Sequence, residues 1–380
     1  MDERKRNAAP QRNAPPRPFS NEAMNMHPNA NAGRRKAPAP RKKPKKEPVK
    51  LSPLVTVFLV VLAIAILIII AQFFKKDSNF DIMKLFETEP PKYDTSAVAN
   101  IKEPTGGVVF ASEDENTTYL DIASSNGILI DLKTNTVIAT KKGDERIYPA
   151  SMTKVMTLIV AYEHIEDLND TFTFTFDIVN DAYVAGASVA GFSEGETVPL
   201  IDLLYGTVLP SGADATSALA QYVAGSEEEF ANLMNFKVEE MGLRDTHFVT
   251  ASGLHDDNHY STCHDMAKIL EYAIATPELR QILGTYKYTT TPTSYHPNGI
   301  TLHSTMYSKM VGDEPGNVYV QGGKTGYTPE AHNCLASFAA VCTEEDYLYT
   351  LPEYILVTAG GIGEYAPIYD AIDAYKKYAN

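Results

Sequence analysis

Residues 127–140 read Gly-Ile-Leu-Ile-Asp-Leu-Lys-Thr-Asn-Thr-Val-Ile-Ala-Thr, and the fold class follows from how the rest of the chain answers this stretch. Gly127 to Leu132 and Thr136 to Thr140 are apolar and β-branched runs, and Lys133-Thr134-Asn135 between them has turn composition, so the segment predicts a hairpin. Helical patterning and loops then occupy residues 151 to 285. Strand patterns return at Tyr319 to Gly322, Cys334 to Cys342 and Tyr354 to Ala359, and Pro367 to Tyr378 predicts a closing helix. Early and late strands around a helical middle predict an α+β domain rather than an alternating parallel one. The expectation is one mostly antiparallel sheet flanked by helices, with a helical subregion, over residues 119–380. That length supports one sizeable core.

Upstream the composition changes sharply. Residues 1–50 hold 14 Lys and Arg against four acidic residues (Asp2, Glu3, Glu22 and Glu47), a charge of +10 in a chain whose total is −15. The remaining 330 residues therefore carry −25, an asymmetry that points to two environments. The basic segment is rich in Pro, Asn and Ala and has too few large apolar residues to offset its ordering entropy, so it reads as a disordered tail. Residues 51–74 contain no charge, and the 21 apolar-run residues from Leu54 to Phe74 at about 1.5 Å each match a bilayer core of about 30 Å. The run exceeds the roughly 7–15 residues of a cleaved signal peptide, and Ala71-Gln72-Phe73-Phe74 is a poor cleavage exit, so one transmembrane signal anchor is predicted. The basic flank sets the N-terminus in the cytoplasm and the acidic remainder outside the cell membrane. Residues 75–118 read as an extracellular linker. The basic tail reads as a topology determinant with a lipid-facing patch, and no nucleic acid is expected. Three cysteines (Cys263, Cys334 and Cys342) do not make a disulfide framework in an exported domain, and free thiols are expected.

Three short strings in the outer part carry chemistry when taken in order: Ser151-Met152-Thr153-Lys154, then Ser211-Gly212-Ala213, then Lys324-Thr325-Gly326. Met152, Val155, Met156, Leu158, Ile159, Val160 and Ala161 make the first segment apolar nearly all round, as in a buried helix. Spacing of i and i+3 sets Ser151 and Lys154 on one face. Burial disfavours the ammonium form, so Lys154 is expected to lose its proton readily and to accept one from Ser151. Ser151 at a helix start also meets free backbone N–H groups. Leu209-Pro210-Ser211-Gly212-Ala213 reads as a turn entering a helix. Gly322-Gly323-Lys324-Thr325-Gly326-Tyr327-Thr328 follows an apolar strand, and its glycines permit close backbone approach by a substrate lying along the edge.

With these strings the chain resembles the serine-type D-alanyl-D-alanine carboxypeptidases, the low-molecular-mass penicillin-binding proteins of peptidase family S11. The likeness extends through Tyr148 to Thr157, Gly195-Glu196-Thr197, Leu203-Leu204-Tyr205-Gly206, Phe230 to Asn235, Met241 to Phe248, Gly253-Leu254 and His259-Tyr260-Ser261-Thr262. It implies that Ser151 is the nucleophile forming an acyl-enzyme, Lys154 the general base, and Ser211 the relay of protons to the leaving amine. It implies that Lys324 and Thr325 clamp the terminal carboxylate, with Gly326 and Tyr327 completing the substrate strand. Backbone N–H groups of Ser151 and Tyr327 would form the oxyanion hole. The implied partners are the peptidoglycan stem pentapeptide and β-lactam inhibitors, and no metal or other cofactor is implied.

Two departures from the family pattern stand out. Ala213 occupies a place where the family usually has Asn, and Tyr327 one where it often has His. Three rival readings share parts of the pattern. A β-lactamase would need a deacylating glutamate, for which Glu228-Glu229-Phe230-Ala231-Asn232 offers acids, though on what reads as the exposed face of an amphipathic helix. A zinc carboxypeptidase would draw on His255, His259 and His264 with Cys263, but no compact ligand pair is present. A non-catalytic binder of cell-wall peptide would explain Ala213.

Overall fold

The structure is a computed structural model that describes residues 111–310, 317–342 and 350–379. The basic tail, the apolar run 51–74 and most of the expected linker lie outside the described residues. Among the described residues no helix is long and apolar enough to cross a membrane.

The predicted hairpin is formed by Asn126–Asp131 (β2) and Thr136–Lys141 (β3), preceded by the short strand Thr118–Tyr119 (β1). The late strands are Val318–Thr328 (β4), His332–Val341 (β5) and Tyr354–Gly361 (β6). They join the hairpin in one six-stranded sheet of order β1-β3-β2-β6-β5-β4. Every pairing is antiparallel except β1 with β3, where Thr118 lies beside Ala139. The sheet is thus mixed but mostly antiparallel, as the bracketing of a helical middle by strands requires.

Both faces of the sheet are covered, which is why its strands read as near-continuous apolar runs. Alternate side chains serve opposite faces. Ile128, Ile130, Ala336, Phe338, Ile355 and Val357 pack toward the helical region. Leu129, Leu335, Ala339 and Leu356 pack on the other face against Ile368, Ala371 and Tyr375 of the closing helix, Ala366–Tyr378. Ala111 is buried in the core, and Ser112 bridges Thr136. The folded unit therefore already includes residues 111–118, which the composition alone assigns to the linker.

Between hairpin and late strands lie Lys154–His164 (α1), Phe176–Val184 (α2), Leu200–Val208 (α3), Ala213–Ala224 (α4), Glu227–Glu240 (α5), Cys263–Ala275 (α6) and Pro277–Gly284 (α7). In α1, every residue from Lys154 to Ala161 is buried, matching the expectation of a helix apolar on all sides. All three cysteines are free. Cys334 lies within β5 and Cys342 just beyond its end, spaced along the strand rather than facing each other.

Candidate active site

Ser151 lies in a 3-10 turn, Ala150–Thr153, that continues directly into α1. The sequence reading expects an α-helix start here. In the tighter 3-10 turn, side chains at i and i+3 eclipse, which brings Ser151 and Lys154 together more directly. The Lys154 amine Nζ lies 3.0 Å from Ser151 Oγ and donates to the Ser252 carbonyl at 2.6 Å. Lys154 is 2% exposed. Burial lowers its pKa to about 7, against the opposing pull of Asp214 and Glu227. Burial is the largest influence because charging an amine inside an apolar helix forfeits its hydration. A neutral amine 3.0 Å from a hydroxyl is placed to take its proton.

A strained residue and a close approach mark the turn. Ala150, just ahead of Ser151, has φ 47°, a left-handed conformation that costs energy in a residue bearing Cβ. Gly326 on β4 passes so near that a Cβ there would lie 2.9 Å from the Pro149 carbonyl oxygen and 3.2 Å from both Ala150 Cβ and Met152 N. The glycine of the third string is thus required by the approach of a strand to the turn bearing Ser151. Lys324-Thr325-Gly326 lies inside β4 rather than after it, and β4 is the terminal strand of the sheet. Its free edge is available to an extended ligand.

The cleft, of about 340 Å³, is lined by Ser151, Lys154, Ser211, Thr325, Gly326 and Tyr327 among others. Six of the seven sequence-predicted residues therefore converge on one space. Ser211 has φ 63°, a second strained position at the site. The Tyr327 side chain is largely exposed. The seventh residue, Lys324, is 1% exposed, and its amine donates to the Thr325 carbonyl at 2.8 Å. Burial first, then the nearby Lys154 and Lys309, hold its pKa well below the usual lysine value.

Several supporting residues escape sequence reasoning. Ala213 holds the cleft through its backbone, its N–H donating to the Ser188 carbonyl at 2.7 Å. Asp214 is buried and accepts from the N–H groups of Ala190 and Gly191 at 2.7 and 2.9 Å. It pins the loop that brings Ala185 to Ser188 to the rim. His259 accepts the Val249 and Thr250 N–H groups on Nδ1, so Nε2 carries the proton and donates to Thr153 Oγ1 at 2.8 Å. Burial lowers its pKa to about 4. It therefore fixes the 249–252 segment whose carbonyl holds Lys154. The available signal was Ser252-Gly253: a Cβ at Gly253, whose φ is +79°, would lie 2.0 Å from the Ala150 carbonyl oxygen.

The features named for the β-lactamase and zinc readings lie elsewhere. Glu228 and Glu229 are exposed on the first turn of α5, away from the cleft lining. His255 contacts the Tyr148 ring and Asp257, and His264 contacts Asp144 and the Ala111 carbonyl, so with His259 on Thr153 the three histidines serve separate partners.

A family model described as D-alanyl-D-alanine carboxypeptidase, peptidase S11, matches residues 111–345, the span that contains all three strings. The chain belongs to this family. It is 33% identical over 232 residues to D-alanyl-D-alanine carboxypeptidase DacF of Bacillus subtilis, covering 60% of this chain and 58% of that protein. It is 38% identical over 154 residues to the Escherichia coli carboxypeptidase DacA, covering 39% of this chain and 38% of that protein. The chain thus spans less than two thirds of the length of these relatives. Among solved structures, the Streptomyces K15 DD-transpeptidase superposes with a TM-score of 0.60 at 28% identity, covering 68% of this chain and 98% of that one.

Proposed function

We propose that the chain is a serine D-alanyl-D-alanine carboxypeptidase that removes the terminal D-alanine from peptidoglycan pentapeptides through an acyl-serine intermediate. The observation that carries this reading is the 3.0 Å approach of a buried lysine amine, with pKa near 7, to the Ser151 hydroxyl. Ser151 Oγ attacks the carbonyl of the penultimate D-alanine while Lys154 Nζ takes the hydroxyl proton. The N–H groups of Ser151 and Tyr327 receive the oxyanion, a contribution of about 3–4 kcal/mol in comparable sites. The C–N bond then breaks, the leaving amine gains the proton from Lys154 by way of Ser211, and D-alanine departs. Water hydrolyses the Ser151 ester with Lys154 again accepting the proton. The base is a side chain of the protein, so the sequence of steps calls on no metal or cofactor. The peptide lies along the edge of β4, with its terminal carboxylate at the Thr325 end. A β-lactam acylates the same serine.

The Streptomyces neighbour is named a transpeptidase, and the two reactions differ only in whether water or an amine takes the acyl group. The uncharged run 51–74 and its basic flank support a single-pass anchor with the catalytic domain outside the cell membrane. D-alanine release from a peptide ending in Lys-D-Ala-D-Ala tests the activity. The wild type releases it and Ser151→Ala does not; equal release by both would refute the reading.

A further inference from the structure

Among the described residues, two further hollows continue from the cleft along one end of the sheet. Lys309 and Tyr327 line both the cleft and the first hollow, of about 560 Å³. Ile362, Gly363 and Glu364 line both the first hollow and the second, of about 710 Å³. Tyr327 of β4 pairs with Asn333 of β5, and Asn333 with Gly361 of β6. Two strand spacings, about 10 Å, therefore separate the cleft rim from the start of the second hollow. With its terminal carboxylate at the Thr325 end of β4, the proposed substrate leaves the cleft at the Tyr327 end, where the hollows begin. Its four acyl-side residues span about 13 Å when extended, enough to carry the peptide's N-terminus across those strands.

The second hollow joins a fixed wall to exposed aromatic faces. Asp370 of the closing helix, 4% exposed, accepts the Ala123 and Ser124 N–H groups at 2.7 and 2.9 Å. It thereby fixes the side formed by residues 121–123. Tyr365 and Tyr369, at the start of that helix, have ring centroids 6.3 Å apart and planes tilted by 32°. Both rings and Ile362 are exposed. The acids here already have partners: Asp121 pairs with Lys377 and Glu364 with Lys309, each at 3.3 Å, and Asp370 holds its two N–H groups. Asp373, on the same helix, is exposed. A cationic ligand gains little from acids so answered. A neutral one that lays C–H faces on tyrosine rings and donates hydroxyl and amide N–H groups to carboxylate oxygens fits the surface better.

We propose that this sheet-end groove, from Tyr327 to Tyr369, binds the glycan strand of peptidoglycan, the N-acetylated amino-sugar polymer to which the N-terminus of the stem peptide in the cleft is joined. The inference rests on the proposed carboxypeptidase reading and deepens it, because it makes a glycan-borne peptide the preferred substrate over a free one.

The binding probe is the β-1,4-linked tetramer of N-acetylglucosamine, followed by saturation transfer from the full-length protein to its acetyl protons. Turnover is followed as D-alanine release from the free pentapeptide and from the same peptide on its disaccharide. The wild type binds the tetramer and favours the disaccharide-borne peptide by about 10-fold in kcat/KM, the order expected of two aromatic contacts, mostly through KM. The double variant Tyr365→Ala, Tyr369→Ala loses binding and preference, while free-peptide turnover and melting temperature stay unchanged. Asp373→Ala weakens both without touching the rings. A preference that survives in both variants would overturn the inference alone, as would a wild type that releases D-alanine but neither binds the tetramer nor distinguishes the peptides. Tetramer binding lost in the double variant, together with no D-alanine release from either peptide, would remove the carboxypeptidase reading and leave the groove.

Discussion

Lys154 joins the local chemistry to an observable pH dependence. In the proposed mechanism the reactive form is the neutral amine, and its pKa is lowered to about 7 by burial. The acylation rate should therefore rise with pH through about 7 and level off above it. Lys154→Met should cut that rate by about 10²- to 10⁴-fold, as for loss of a general base; stopped-flow acylation by a penicillin at several pH values measures both. His259 acts on stability instead. Its pKa falls from 6.5 to about 4 in the fold, so between these values the unfolded chain binds more protons than the folded one. Its contribution is fully present above about pH 6.5 and is lost as pH falls toward 4. Replacing it by Gln, which retains an acceptor and a donor, should flatten the fall of melting temperature between pH 7 and 4.5. The adjacency of Ser151 and Lys154 was legible in the sequence because i, i+3 spacing in an apolar run sets both side chains on one face. His259 as a support was not legible, since its role depends on a contact across 106 residues of chain, to Thr153.

The elements that build the site meet at glycine. At Gly326 the β4 backbone runs against Pro149, Ala150 and Met152, so Gly326→Ala must push the edge strand and the nucleophile turn apart by a few tenths of an ångström or more. Acylation should drop by about 10- to 100-fold, since small misplacements of reacting groups cost that much, while the melting temperature changes little by comparison. Equal rates for Gly326→Ala and wild type would show that the strand does not position the turn. The strand patterns found five of the six strands of the main sheet, with every end but one within two residues. The boundary at Gly322 was set too early because glycines end a sequence-based strand, whereas here they continue one in which neighbouring backbone fills the space a side chain would take. β1, two residues long, lacks the length to show any period.

For the whole chain, the charge division between residues 1–50 and the remainder predicts separable roles. Full-length protein should float with lipid vesicles, residues 111–380 alone should stay in solution, and both should be acylated by penicillin at the same rate. Flotation of the shorter protein, or its failure to acylate, would contradict that division. The helical subregion and sheet were predictable together because the central strands are apolar on both faces and each face needs a covering layer. The central claim is that Ser151 is the nucleophile of a cleft closed by α1, α4 and β4. Its most direct test is the intact mass of the protein after incubation with penicillin, followed by peptide mapping. One adduct on Ser151, absent from Ser151→Ala, is the predicted result; an adduct on any other residue, or none, would contradict it.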